Sequence, residues 1–343
     1  MRYRKLGRTN FQVSEIGYGL WGMGGWSGSD DQQSRASLEL AAELGCNFFD
    51  SAQAYGDGKS DQLLGELLAS FSPKNMSHPD RSRSQSDAAE GPAAPLVAAS
   101  KIPPKDLQWP PSSHAKYHDV FPQNHVFHHV DSIRKNLQQD TIDLLQFHVW
   151  EDRWTDEPEF RNTVETLKSK GLITAFGLSL NRWQPANGIR AIETGLIDTV
   201  QVIYNIFDQN PEDELFPACK QHNIGVIARV PLDEGSLGGK MTRETRFNPD
   251  DWRAKYFNSS NLTQTMDRID ALKKILPEGM TLPEMAIRFI LANPVVSTII
   301  IGMRNADHVR SNLSYSSNLP LSAELLTELK RHRWDRSPAP WSD

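Results

Sequence analysis

Short apolar runs alternate with amphipathic stretches along most of this chain. The runs are EIGYG, CNFFD, LVAASK, IDLLQFH, ITAFGLS, TVQVIYN, GVIARVP and STIIIG. They are apolar nearly throughout, the pattern of parallel strands covered on both faces. Between them, DQLLGELLAS, VFHHVDSIRKNLQQ, EPEFRNTVETLKSKG, PANGIRAIETG and ELFPACKQHN repeat apolar residues at helical spacing. Eight strands separated by helices predict an α/β fold with a closed parallel barrel, the (α/β)8 or TIM-barrel architecture, as a single domain over residues 1–343. YRKLG and FQVSEIG predict a small N-terminal hairpin closing the barrel bottom.

Two stretches interrupt the rhythm. Residues 72–95, SPKNMSHPDRSRSQSDAAEGPAAP, carry Ser, Pro, Ala and charge with almost nothing to bury. They read as a mobile surface insertion between the second helix and the third barrel strand. A long connection from Leu232 to about Leu262 follows GVIARVP and mixes glycine with DDWRAKYF. Long structured loops of this kind often cover a site.

Gly17, Gly19 and Gly22 match the G-x-G-x-x-G spacing of a dinucleotide-binding turn. Such a turn must open directly into a helix, whose first amides meet the pyrophosphate. Here Gly24, Gly25 and Gly28 follow, and each is costly in a helix. A helix becomes credible only at SDDQQSRASLELAAELG, capped by Ser29 or Asp30 and ended at Gly45. The glycines therefore belong to a loop after the first barrel strand.

Composition narrows the function classes. A net charge of -6 disfavours nucleic acid as a partner. No apolar stretch reaches membrane-spanning length. No secretory signal is visible, and Cys46 and Cys219 lack metal-ligand spacing, so a cytoplasmic protein with reduced, buried cysteines is expected. His114, His118, His125, His128 and His129 cluster without the spacing of a metal site, and none is expected.

In such a barrel, chemistry sits where the strands end. The second strand ends in Asp50, with Tyr55 just beyond; the third ends in Lys101, the fourth in His148 and the fifth in Ser179. Gln201 lies in the sixth strand, which ends near Tyr204 and Asn205. Arg229 lies in the seventh, and Gly302 ends the eighth, with Arg304 beyond. Tyrosine alone is a poor acid near neutrality, with a pKa of about 10. A nearby ammonium favours its phenolate, so Lys101 is expected to lower it, with Asp50 holding Lys101 charged and in place. His148 is placed to orient the same substrate oxygen. These groups move protons and no side chain supplies hydride, so a nicotinamide cofactor is implied. Trp150, Trp154 and Trp183 either rim the pocket or pack loops, and RHRWDRSPAPWSD is expected near the barrel mouth.

FFDSAQAYGDGKSDQLLGELL, SKIPP, DTIDLLQFH, FGLS, QVIYN, ARVPLDEGSLGGK and IIIGMRNADHVRSN together resemble the aldo-keto reductase superfamily, in its bacterial-type NADP-dependent branch. The resemblance spans nearly the whole chain outside the insertion. It implies a catalytic tetrad of Asp50, Tyr55, Lys101 and His148, and a nicotinamide cofactor extended across the barrel mouth. Gly19, Leu20 and Trp21 would approach that cofactor, with Trp21 lining the substrate pocket. Ser179 and Gln201 would hold the carboxamide; Leu180 follows Ser179 where many members have Asn, which here is Asn181. Arg229 stands where many members stack an aromatic ring on the nicotinamide. Leu232, Ser236, Leu237 and Lys240 match the segment that folds over the pyrophosphate. Gly302, Arg304, His308 and Asn312 match the segment around the adenosine end. The expected cofactor is NADP(H), with NAD(H) second. The expected activity is reduction of an aldehyde, ketone or sugar-like carbonyl to the alcohol, with the tyrosine as general acid. The alternatives are a cofactor-binding sensor or regulatory barrel, and an NAD(P)+-dependent sugar or cyclitol dehydrogenase. The expected partner is a small molecule.

Overall fold

The computed structural model describes residues 1–336 except 26, 27, 29, 72–93, 113 and 250. Two short strands, β1 (Tyr3–Lys5) and β2 (Gln12–Ser14), pair antiparallel. Eight parallel strands follow: β3 (Ile16–Gly19), β4 (Phe48–Asp50), β5 (Val97–Ile102), β6 (Ile142–Phe147), β7 (Ile173–Ser179), β8 (Thr199–Ile203), β9 (Gly225–Arg229) and β10 (Val296–Ile301). They pair in chain order, and β10 returns to β3 to close the barrel.

The helices are α1 (Asp31–Glu43), α2 (Lys59–Ser70), α3 (Tyr117–Val120), α4 (Gln123–Leu137), α5 (Pro158–Ser169), α6 (Ile189–Glu193), α7 (Leu215–His222), α8 (Arg253–Tyr256), α9 (Ser259–Lys274), α10 (Leu282–Leu291), α11 (Ala306–Ser314) and α12 (Ala323–Lys330). Among the described residues, no helix is long and apolar enough to cross a membrane. The (α/β)8 barrel expected from the sequence is present. The α1 cap is Asp30, whose side chain accepts from Gln33 N; Ser29, the other candidate, lies outside the described residues. Most of the 72–95 insertion also lies outside them. The connection after β9 is more regular than expected, because α9 begins at Ser259 and α10 follows before β10. Both were legible. Leu262, Met266, Ile269 and Leu272 form one buried face of α9, and Thr281 caps α10.

Alternation along each strand sorts side chains to opposite faces. Phe48, Val97, Ala99, Leu144, Ala175 and Ile227 form an apolar cluster inside the barrel, and Leu6 and Val13 of the hairpin join it. The hairpin thus plugs the bottom. The seat is close, since a Cβ on Gly7 would lie 2.1 Å from Gly225 N. Burying Leu6 there contributes roughly 1.5–3 kcal/mol. Two glycines of the opening run also pack tightly. A Cβ on Gly17 would meet the Phe48 ring at 2.9 Å, and one on Gly22 would meet Arg304 Cδ at 2.8 Å. After β3 the chain makes one turn of 3-10 helix over Trp21–Met23 rather than an α-helix.

Candidate active site

Two residues beyond the apolar floor, the same inward positions become polar. Phe48 is followed by Asp50, Ala99 by Lys101, Leu144 by Gln146 and His148, and Ile227 by Arg229. Lys101 Nζ donates to Asp50 Oδ2 at 2.5 Å and to the Ser51 carbonyl at 2.7 Å. Asp50 Oδ1 accepts from Gln201 Nε2 at 2.8 Å and from Gln146 Nε2 at 3.1 Å. The Lys101 side chain is wholly buried, as nearly is that of Asp50. A charge in that position must be paired.

Tyr55 lies on the turn between β4 and α2. That turn is fixed by Ser51 N to the Ala99 carbonyl, at 2.8 Å, and Gln53 N to the Lys101 carbonyl, at 3.1 Å. Gly56 adopts φ +68, and a Cβ there would strike the Gly24 carbonyl oxygen at 2.3 Å, so the loop after β3 presses on it. This brings the Tyr55 ring to 5.1 Å from Lys101 Nζ and to 5.7 Å, edge-on, from the His148 ring. The four tetrad residues expected from the sequence are thus assembled in one place.

Burial pushes the Tyr55 phenol up, Lys101 pulls it down, Asp50 pushes it up again and Arg229 pulls it down. The balance lies above the ordinary value, which corrects the expected net direction: the ammonium acts as foreseen, but loss of solvent outweighs it. Burial alone would lower Lys101. Asp50 and Tyr55 reverse that and keep it an ammonium. Burial, then Lys101 and Arg229, hold His148 well below the usual histidine range, so its ring is neutral. Its buried Nδ1 has no hydrogen-bond partner.

Arg229 ends β9 and donates from Nη2 to the Leu180 carbonyl at 2.9 Å. Burial and then Arg182 pull its pKa down to about 10. Asn181 turns away toward the Trp150 carbonyl, 3.0 Å from its Nδ2. Past β9 the backbone takes positive φ at Val230, Asp233 and Glu234. That segment buries Ser236 and Leu237, half-buries Leu232 and exposes Lys240. Ser236 Oγ donates to Asp233 Oδ2 at 2.6 Å. Arg336, of the C-terminal segment, reaches Asp233 at 2.7 Å and Asp208 at 2.8 Å from one nitrogen, and the Tyr256 hydroxyl at 2.6 Å from the other. The described part of the C-terminal tail therefore does lie at the mouth. Trp109 stands 5.8 Å from the His148 ring, and its neighbours Gln108 and Pro110 line a cavity of about 680 Å³, as do Arg182, Trp183 and Arg336. Trp150 and Trp154 are instead buried against each other and Phe160. Tyr204 packs outward on Phe216 and Phe289, and Asn205 braces Asp208.

At the opposite edge of the mouth, Leu20 N donates to the Asp50 carbonyl at 2.9 Å, which ties Gly19–Trp21 to the tetrad strand; Trp21 is 41% exposed. Asn305 caps α11 by accepting from His308 N at 2.8 Å. His308 is lowered by burial and then by Lys240, with Arg304 acting in the same direction, so three basic side chains converge at this helix start. Gly302 has open space where a Cβ would be, and Asn312 is buried on the inner face of α11.

A model of the aldo/keto reductase family matches residues 15–333. The chain belongs to that family. The aldo-keto reductase YhdN of Bacillus subtilis is 26% identical over 330 residues, 94% of this chain and 91% of that one. The NADH-specific methylglyoxal reductase of Escherichia coli is 27% identical over 347 residues, 96% of this chain and 98% of that one. The holo form of the aldo-keto reductase AKR11C1 from Bacillus halodurans superposes with a TM-score of 0.73 at 23% identity, covering 100% of both chains.

Several groups around this aldo/keto reductase site escaped sequence reasoning. Gln146 was findable as a lone amide two residues before His148 in an apolar strand. Trp109 and Arg182 come from loops far apart in the chain and carried no local signal; Asp233 and Arg336 lie in segments expected near the mouth, but their pairing could not be read from the sequence. Of the five clustered histidines, His125, His128 and His129 stack edge to face on α4, with the His125 and His129 rings 4.3 Å apart and a His125 ring nitrogen 2.8 Å from the Pro103 carbonyl, whereas His118 lies on α3. Cys46 and Cys219 are both buried and free.

Proposed function

We propose that this aldo/keto reductase is an NADP(H)-dependent oxidoreductase that reduces an aldehyde, ketone or sugar-like carbonyl to the alcohol, with Tyr55 as general acid. One observation carries the reading: the buried Lys101–Asp50 pair, braced by two glutamines, beside a protonated Tyr55 and a neutral His148 at the strand ends. The family's nicotinamide cofactor supplies hydride when bound. Tyr55 gives its proton to the carbonyl oxygen, and Lys101 stabilises the phenolate left behind. His148, being neutral, donates a hydrogen bond that orients that oxygen without competing for the proton. Asp50 holds Lys101 in register and charged.

The residues present suit the cofactor. Gln201 directs its amide nitrogen to Asp50, so Oε1 is the atom it offers a carboxamide, beside Ser179. Gly19, Leu20, Trp21 and Arg229 would border that end. The segment with Leu232, Ser236, Leu237 and Lys240 would cover the pyrophosphate. Gly302, Arg304, His308 and Asn312 would take the adenosine end, where a capped helix start with converging basic groups suits a 2′-phosphate. The E. coli relative is named as NADH-specific, so the preference for NADPH rests on Arg304, Lys240 and His308.

The test is a panel of carbonyls with NADPH and NADH, and of alcohols with NADP+ and NAD+, followed at the nicotinamide absorbance. Multiple turnovers of a carbonyl, faster with NADPH, are expected. Tight cofactor binding without turnover would make the barrel a sensor, and oxidation without reduction would make it a dehydrogenase.

A further inference from the structure

The first turn of α2 carries a carboxyl group that the reaction above leaves unused. Asp61 is fully buried, on the helix side of the strands that deliver Asp50 and Lys101. Ser100 Oγ donates to Asp61 Oδ1 at 2.9 Å. The Ser51 hydroxyl stands near enough to favour the charged carboxylate, although its close contact is with Ser60 Oγ at 2.6 Å. Oδ2 of Asp61 is buried without a donor. Ser51 directly follows Asp50, and its carbonyl accepts from Lys101 Nζ; Ser100 directly precedes Lys101. One carboxyl therefore stands against the neighbours of both members of the buried ion pair.

An architectural link at this point needs no charge, and an amide or a packed apolar residue would avoid the cost of burying one. The charged groups acting on Asp61 are Lys101 from β5 and Asp50 from β4. On the helices packed beside α2, Arg35 of α1 pairs with Glu66 on the outer face, and His129 of α4 is acted on by Asp57. The negative charge thus lies behind Lys101, on the side away from the barrel interior.

We propose that Asp61 is a positioning residue: through Ser51 and Ser100, and through its charge, it fixes Lys101 as an ammonium facing Tyr55. The inference rests on the roles given above to Lys101 and Tyr55. Burial pushes the Asp61 carboxyl up to about 6, against the pull of Ser51, Ser100 and Lys101. The rate of carbonyl reduction should therefore climb as Asp61 ionises around that pH. A folded-state pKa above the ordinary carboxylate value favours the fold at low pH and loses that benefit as pH rises through about 6.

The experiment compares wild type, Asp61→Asn and Ser100→Ala. It measures kcat against pH, cofactor affinity by titration, and Tm at about pH 5 and about pH 8, on either side of the Asp61 transition. Asp61→Asn should keep cofactor affinity, lower kcat about ten-fold through misplacement of Lys101, and lose the acid limb near neutrality. It should melt at or above wild type at the higher pH. Ser100→Ala keeps the carboxylate but loses a hydroxyl that favours its charged form, so its acid limb should move to higher pH. If Asp61→Asn does not fold, that shift decides the matter. An Asp61→Asn enzyme with the wild-type rate and acid limb would overturn the proposal. So would an Asp61→Asn chain less stable than wild type at the higher pH, or an unmoved limb in Ser100→Ala. A wild-type enzyme that turns over nothing with either cofactor refutes the functional reading instead, and the melts then judge Asp61 on their own.

Discussion

Gln201 on β8 reaches across the barrel to Asp50 on β4, donating from Nε2 to Oδ1 at 2.8 Å. The carboxylate that holds Lys101 is itself anchored by the opposite wall. Gln201→Leu should cost about 1–3 kcal/mol, because a buried carboxylate loses a donor. It should also lower kcat, as Asp50 and Lys101 gain freedom. Denaturant unfolding checks the first part; an unmoved midpoint would show that Gln146 alone anchors the pair.

Tyr55→Phe removes the proposed proton donor and little else. Carbonyl reduction should fall by roughly a hundred- to ten-thousand-fold while cofactor affinity stays near wild type. Burial first, with Asp50, keeps the Tyr55 pKa above its ordinary 10, so the phenol stays protonated through and beyond neutrality. The reduction rate should accordingly show no loss of its proton donor on the basic side below that value.

His148 is buried and neutral, so unfolding exposes a ring that protonates in acid. Its folded pKa lies well below 6.5, and its stabilising contribution is present above 6.5 and lost as pH falls below it. His129, lowered to about 4, acts in the same direction. The Tm should drop as pH falls below about 6.5, and His148→Asn should flatten part of that drop. An identical pH dependence in the variant would contradict a neutral His148. Asp61 works in the opposite sense over the same range, so Asp61→Asn should steepen the drop.

Arg304 packs against the backbone of Gly22 at the corner where Lys240 and His308 meet. Arg304→Ala should weaken NADPH binding about ten- to a hundred-fold, the worth of a charge-assisted hydrogen bond, and leave NADH nearly unchanged. Fluorescence titration of both cofactors decides it. Equal losses would mean that Arg304 does not read the 2′-phosphate.

The Arg336 side chain is 5% exposed and stands between Asp208 and Asp233. Burial raises Asp233, but Arg336, together with Ser236 and Arg182, outweighs this and holds it below the usual carboxylate range. Arg336→Ala leaves two carboxylates without their shared cation and should cost about 3–5 kcal/mol. Calorimetry would show it, and a Tm within a degree or so of wild type would mean that Arg182 takes over the pairing.

The barrel was legible because its strands are apolar on both faces and because each helix repeats its buried face. That Asp50, Tyr55, Lys101 and His148 would meet was legible because a charged residue at the end of an apolar strand has few reasons to be there. Lys101 and His148 show this plainly. The net acidity of Tyr55 was not legible, since the loss of solvent that outweighs Lys101 depends on loops after β3 and β5. Nor was the Arg336 node, whose partners Asp208 and Asp233 lie more than a hundred residues earlier. Asp61 lay in the open within KSDQLLGELL, but nothing in that string says that Ser51 and Ser100 will flank its carboxyl.

The hairpin plug has a consequence for the order of events during synthesis. Leu6 and Gly7 leave the ribosome long before Gly225, the residue on which they seat. The β3 edge likewise waits for β10 before the ring can close. Until most of the chain is made, the floor residues Phe48, Val97 and Leu144 line an open trough rather than a sealed interior. A nascent chain of this protein therefore carries its apolar barrel floor uncovered until synthesis is nearly complete, the interval in which a chaperone that grips extended apolar segments has the most to hold.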